Sequence, residues 1–208
     1  MFRLLALGAL ASFASSHSPA QDAPDPARIS ETDAIECRLA VPDYTGFVLS
    51  VSEADGIAQA RHWKKIESTN PFLSEYALPA PITVAGSYRT TRIAFSADAI
   101  LAVLDVADPA EIARAENVRN QLDPDPMIED LIRSSGKSRA EVEAQIKFRK
   151  FLGERIVKDE TQPATKDEAF GSHMTVARSI SNATTHPGKT LYGCSYRMEI
   201  LDKDGKPL

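Results

Sequence analysis

Cys37 and Cys194 are the only two cysteines in the chain. Two chemistries are open to them. Cys194 could act as a nucleophile with His173 or His186 as its base, or the pair could close one disulfide in an oxidising compartment. The disulfide is the expected role, because each cysteine falls on the apolar side of an alternating run. Ile35, Cys37, Leu39 and Val41 form one such run; Tyr192, Cys194, Tyr196, Met198 and Ile200 form the other. Alternation with period two is the mark of a half-buried strand, whereas a nucleophile has to be exposed as a thiolate. The bridge would close a ring of 158 residues, for which the chain-entropy model gives about 5 kcal/mol.

The other chemistry-bearing residues are scattered. His62, His173 and His186 have no spacing that suits a zinc site, and no cysteine or acid cluster stands beside them in sequence. His186 precedes Pro187 and Gly188, which predicts an exposed loop tip. Asp202, Asp204 and Gly205 resemble the start of a calcium loop, but the further oxygen ligands and terminal Glu are missing, so a turn is expected. Asn182 and Thr184 fit the glycosylation pattern and hint at a loop. Ser135, Gly136, Lys137 and Ser138 look like the tail of a phosphate-binding loop, but Leu131 stands where its first glycine belongs. A nucleophile elbow, a Ser-x-x-Lys pair with its supporting motifs and a dinucleotide fingerprint are all missing. No cofactor is implied. Lys147, Arg149 and Lys150, with Arg155 and Lys158, gather near a helix end and are the candidate partner contacts. Trp63, among Arg61, Lys64 and Lys65, is expected to pack in the core with basic stems around it.

The elements that must position these residues read as strands, a helix, strands, helices and strands. Strands are expected near 35–41, 47–51, 82–86, 91–95, 100–104, 154–158, 174–180 and 190–201, and a helix within 52–68. Asp108, Pro109 and Glu111 make a helix start, continued by Ile112, Ala115, Val118 and Leu122 on one face. A short helix carries Met127, Ile128, Leu131 and Ile132 and stops at Gly136. Ser138 and Glu141 form a capping box for the next, which Gly153 should end. The last two strands should pair as a hairpin, with Val176 and Ile180 on the side of Tyr192, Cys194 and Tyr196. That pairing would keep His173 and His186 too far apart to share a metal. The fold class is α+β: an antiparallel sheet with a C-terminal hairpin, packed against two or three helices.

Arg3 followed by an apolar run over 4–14, with Ser18 and Ala20 before Gln21, reads as a signal peptide over 1–20. The run is too short to span a bilayer. Residues 21–32 read as a flexible leader and 33–208 as one globular α+β domain. Cleavage would remove Arg3 and no acid, leaving 23 basic and 29 acidic residues in 188. That acidic balance argues against a nucleic-acid partner, and no stable membrane insertion is expected after cleavage. The expectation is a bacterial envelope protein, periplasmic or secreted. It would be a non-enzymatic module that binds a protein, peptide or small molecule. The alternative is a periplasmic hydrolase whose site is assembled from dispersed His and carboxylate residues.

Overall fold

The computed structural model describes residues 25–122, 124–145 and 151–208. The expected signal peptide and the basic residues Lys147, Arg149 and Lys150 lie outside them. Seven strands form one antiparallel sheet: β1 (Lys64–Ile66), β2 (Ser74–Val84), β3 (Tyr88–Phe95), β4 (Ala99–Leu104), β5 (Leu152–Gln162), β6 (Gly171–Ser181) and β7 (Thr190–Leu201). Their order is β1-β2-β3-β4-β7-β6-β5. The last strand in sequence is therefore central in space. Six helices accompany the sheet: α1 (Glu31–Ile35), α2 (Val41–Val51), α3 (Ile57–Ala60), α4 (Pro109–Ala115), α5 (Asp125–Ser135) and α6 (Arg139–Gln145). The first, second and fourth pack on the sheet, and α5 packs with α6.

The α+β reading and its C-terminal hairpin hold. β6 and β7 pair with Val176 opposite Tyr196 and Ile180 opposite Tyr192. Those four residues belong to the main core with Ile35 and Phe47. Asp108 caps α4 through Oδ1, which accepts from the Ala110 amide at 2.9 Å. Gly136 ends α5 in the left-handed region at φ 68°. The Glu141 carboxylate accepts from the Ser138 amide and hydroxyl at the start of α6.

Several expected elements are replaced. The run 35–41 is no strand: α1 ends at Ile35, Cys37 turns the chain at φ 59°, and α2 begins at Val41. Ser30 starts α1, its hydroxyl oxygen accepting from the Asp33 amide at 3.0 Å. Of the expected leader, residues 21–24 lie outside the described residues, and the remainder holds a 3-10 turn at Pro26–Arg28 and the start of α1. Residues 47–51 are helical because Pro42 and Asp43 occupy a helical first turn, where proline's missing N–H costs nothing and an acid is favoured. Val41, Tyr44, Phe47 and Val51 then bury one stripe. The helix expected in 52–68 shrinks to α3, since its apolar residues form no continuous face. His62 turns the chain at φ 55° into β1. Trp63 does lie in the core, 5.8 Å from Tyr76, with the Arg61 guanidinium 5.8 Å from its ring centre. α4 ends at Ala115, short of Leu122, with Asn117 at φ 55°. Gly153 is no helix end. It lies within β5, where a Cβ would stand 2.4 Å from the Arg119 carbonyl oxygen.

Cys37 and Cys194 are bridged, with Cα atoms 5.3 Å apart. Both are buried. The bridge fastens the turn after α1 to the middle of β7, one residue from Gly193. A Cβ at Gly193 would stand 2.0 Å from the Ile100 carbonyl oxygen, so only glycine lets β4 and β7 approach there.

Beside the bridge, Arg178 is buried on the helix-covered face of the sheet, opposite Cys194 in register. Its Nη1 donates to the Ile35 carbonyl at 2.6 Å and the Gly193 carbonyl at 3.1 Å. Its Nη2 donates to Glu36 at 2.8 Å, and its guanidinium stacks 4.3 Å from the Tyr192 ring centre. The Tyr192 hydroxyl donates to Glu36 or Glu116, at 2.9 and 3.1 Å. Burial pushes this phenol well above its ordinary pKa. Replacing Cys194 with Ala should cost a few kcal/mol, since the ring is long. Urea unfolding of the oxidised wild type against Cys194→Ala measures it, and equal midpoints would show that Arg178 alone holds α1.

Candidate functional site

The other face of the sheet carries a small apolar cluster of Ala94, Leu101, Val103 and Leu191, against which Leu73 and Ala183 pack. Glu75 lies on this face, opposite Ala94 in register, and its side chain is fully buried. All its acceptor positions are used from one side or the other. Oε1 accepts from the Ser68 hydroxyl at 2.5 Å and meets His186 Nε2 at 3.0 Å. Oε2 accepts from Arg92 Nε at 2.6 Å and also pairs with Arg92 Nη2. Burial pushes the Glu75 carboxyl up. The Ser68 and Arg92 hydrogen bonds and the nearby positive charge outweigh that and hold it below the ordinary carboxylate range.

His186 is therefore not at an exposed loop tip. Pro187 and Gly188 are exposed as the turn signal implies, but the imidazole folds inward to Glu75 and is 4% exposed. Its Nδ1 lies 3.0 Å from the Thr185 hydroxyl, and Thr185 Oγ1 accepts from Asn70 Nδ2 at 3.3 Å. The result is a clasp between residues 68–70 and 185–186, closed over Glu75. A histidine, a carboxylate and a serine do converge, yet the arrangement differs from a nucleophilic triad. The serine hydroxyl donates to the carboxylate, both ring nitrogens have partners, and the carboxylate and imidazole are buried.

His173 sits at the other end of the hairpin, opposite Glu199. Its Nδ1 is 3.1 Å from Glu199 and its Nε2 is 2.5 Å from Asp159. The Asp159 hydrogen bond, then that of Glu199, raises its pKa. The two histidines are not brought together, as the hairpin predicts. Among the described residues, no group of three or more His, Cys, Asp or Glu is placed to hold a metal ion. Of the remaining basic candidates, Arg155 is 3.6 Å from Glu116 and Lys158 donates to the Leu39 carbonyl. Asp202 and Gly205 form a turn.

The open space lies beside the clasp. β3 and β4 pair only through Ile93–Phe95 and Ile100–Ala102, although β3 starts at Tyr88 and β4 runs to Leu104. β2 is also irregular here, between Ala77 and Ile82, where Pro79 and Pro81 interrupt the ladder. Thr90 crosses the gap, its hydroxyl donating to the Val103 carbonyl at 2.7 Å. The result is an open groove of about 520 Å3, lined by Arg89, Thr91, Arg92, Val103, Asp105 and Lys189, among others. A second hollow of about 300 Å3 next to α2 is lined by Val51, Phe72 and Phe95 and has no charged side chain in its wall.

The sequence reading missed Glu75, Arg92 and the groove. The available signal was the pair of prolines at 79 and 81, which mark an interrupted strand as readily as a loop.

Comparison with family models, curated proteins and solved structures finds no match. Among the described residues, no helix is long and apolar enough to cross a membrane.

Glu75→Gln should destabilise the fold by about 1–3 kcal/mol at neutral pH, because it weakens the charge-assisted hydrogen bonds of a buried carboxylate whose arginine partner is partly exposed. The folded-state pKa of Glu75 is lowered, so its contribution is present above the unfolded carboxylate value and disappears as pH falls through the folded one. Urea midpoints of wild type and variant should converge over that acid range. A constant gap would assign the cost to packing. His173 has the opposite sign. Its raised pKa gives stability that is complete below the unfolded histidine value and is lost as pH rises through the folded one. An NMR titration placing His173 at or below the ordinary histidine value would remove this contribution.

Proposed function

We propose that this chain is an exported, non-catalytic binding module of a bacterial cell envelope, periplasmic or secreted, which holds a small ligand in the groove between β3 and β4. The observation that carries the reading is the parting of the two strands beside a rigidly held arginine. Ligand sites commonly occupy about 300–1,000 Å3 and need a few fixed polar groups; the groove has that size. Arg92 is fixed before any ligand arrives, because Glu75 holds its Nε and Nη2 from below. Preorganisation of this kind lowers the entropic cost of binding. Export is supported by the N-terminal pattern of Arg3 and the apolar run, and by the Cys37–Cys194 bridge, which suits an oxidising compartment.

The hydrolase alternative has one grouping in its favour, His186 with Glu75 and Ser68. It would require the clasp to open and the Ser68 hydroxyl to turn from Glu75 towards His186.

The test is to purify the protein from its native envelope and examine it by native mass spectrometry beside Thr91→Trp, which fills the groove from an exposed position. The wild type should carry a small-molecule mass that the variant lacks. Identical spectra, together with a hydrolytic activity abolished by His186→Asn, would replace the binding reading with the enzymatic one.

A further inference from the structure

We infer that the groove is an oxyanion site, built for a small molecule that carries two negative charges and guarded by Asp105 as an internal competitor. This deepens the binding reading above and rests on it.

Three cations line the groove, Arg89, Arg92 and Lys189, against one carboxylate, Asp105. The chain as a whole carries a net charge of −5. Positive groups gathered in one recess of an acidic protein concentrate the local field and draw anions to it. Each cation is in a different state of readiness. Arg89 is exposed and has no acceptor among the described residues. Arg92 spends Nε and Nη2 on Glu75, and Nη1 remains for a ligand; its side chain is 36% exposed. Lys189 is paired with Asp105, whose side chain is 84% exposed.

The Lys189–Asp105 pair shows what the groove accepts, since a carboxylate already sits on its ammonium. An ion pair this exposed is worth about 0–1 kcal/mol. A ligand anion that also reaches Arg89 and Arg92 would outcompete Asp105, which can swing into solvent. Arginine forks recognise planar carboxylates and phosphates through paired hydrogen bonds. Two guanidinium groups and one ammonium suit a dianion better than a monoanion. A phosphate ester and a dicarboxylate share this chemistry.

The experiment titrates the folded, bridged protein with inorganic phosphate, succinate, acetate and glucose, following the amide signals of Thr90, Thr91, Val103 and Lys189 by NMR. Phosphate or succinate should shift these amides at concentrations up to about 10 mM, within reach of a millimolar Kd. Acetate should bind more weakly and glucose not at all. Whichever dianion binds more tightly identifies the source. Asp105→Asn should tighten dianion binding by up to about fivefold, the range an exposed pair can supply. Arg89→Gln should weaken it by a similar factor or more. Arg89 and Asp105 are exposed, so neither substitution threatens the fold. Binding should also fall as salt rises from about 50 to 200 mM, as expected for partly exposed charges. The inference is overturned if neither dianion shifts the groove amides, or if Asp105→Asn leaves binding unchanged or weaker. Should the dianions fail while the native protein still carries a neutral molecule that Thr91→Trp loses, the oxyanion site is refuted and the binding module stands. Should both experiments fail, both readings go.

Discussion

Arg178 sets the terms for the helix-covered half of the molecule. A guanidinium buried on the core face of a sheet must be neutralised and hydrogen-bonded, or the fold carries an uncompensated charge. The groups that do this come from every part of the chain. Glu36 follows α1, Glu116 follows α4, the Ile35 carbonyl closes α1 and the Gly193 carbonyl comes from β7. Tyr192 supplies its ring below the cation and its hydroxyl to the same carboxylates. Glu36 also accepts from the Ala85 amide at 2.7 Å, which ties the β2–β3 turn into the group. The disulfide lies directly across from Arg178 in register and reinforces a junction that the buried charge already specifies.

The opposite face repeats the device with the signs exchanged. There a carboxylate, Glu75, is buried, and an arginine, a histidine and a hydroxyl gather round it. The two networks differ in what they leave over. Arg178 is enclosed by its partners. Arg92 is only half used, because its other edge lines the groove. The carboxylate over which the clasp closes therefore also fixes a cation beside an open recess. The clasp also brings a histidine, a carboxylate and a serine together and ties two loops to the sheet.

Much of the sheet was legible because its signals are local. β6 and β7 alternate clearly, Asp108 and Pro109 announce α4, and Ser138 with Glu141 announces α6. The N-terminal third was misread where two local signals competed. Ile35, Cys37, Leu39 and Val41 alternate as a strand would, but they straddle a helix end, a left-handed turn and a helix start. Pro42 and Asp43 stand in a first helical turn, so residues 47–51 continue a helix instead of forming a strand. The disulfide was nonetheless legible, since both cysteines stand among apolar residues that are buried, although only Cys194 lies on a strand. The candidate functional face was not. Glu75 and His186 are 111 residues apart, and nothing in either neighbourhood announces the other. The Pro187 and Gly188 turn signal was correct for the backbone and silent on where the imidazole points. Arg178 was visible as a charged residue between Val176 and Ile180 on an otherwise apolar face, the one local hint of a buried cation.

The position of β7 has a temporal consequence. A chain delivered amino end first presents β2, β3 and β4 long before the strand that joins them to β5 and β6. The seam at which Ile100 meets Cys194 then waits for the final residues, as does the partner of Cys37. Until they arrive, β4 has a bare edge and Cys37 a free thiol, the two features most apt to engage a neighbouring molecule. Closure needs β7, one strand that completes the sheet, covers the arginine and supplies the second sulfur. In a chain that emerges amino end first, the earlier strands stay open to wrong partners until β7 follows them.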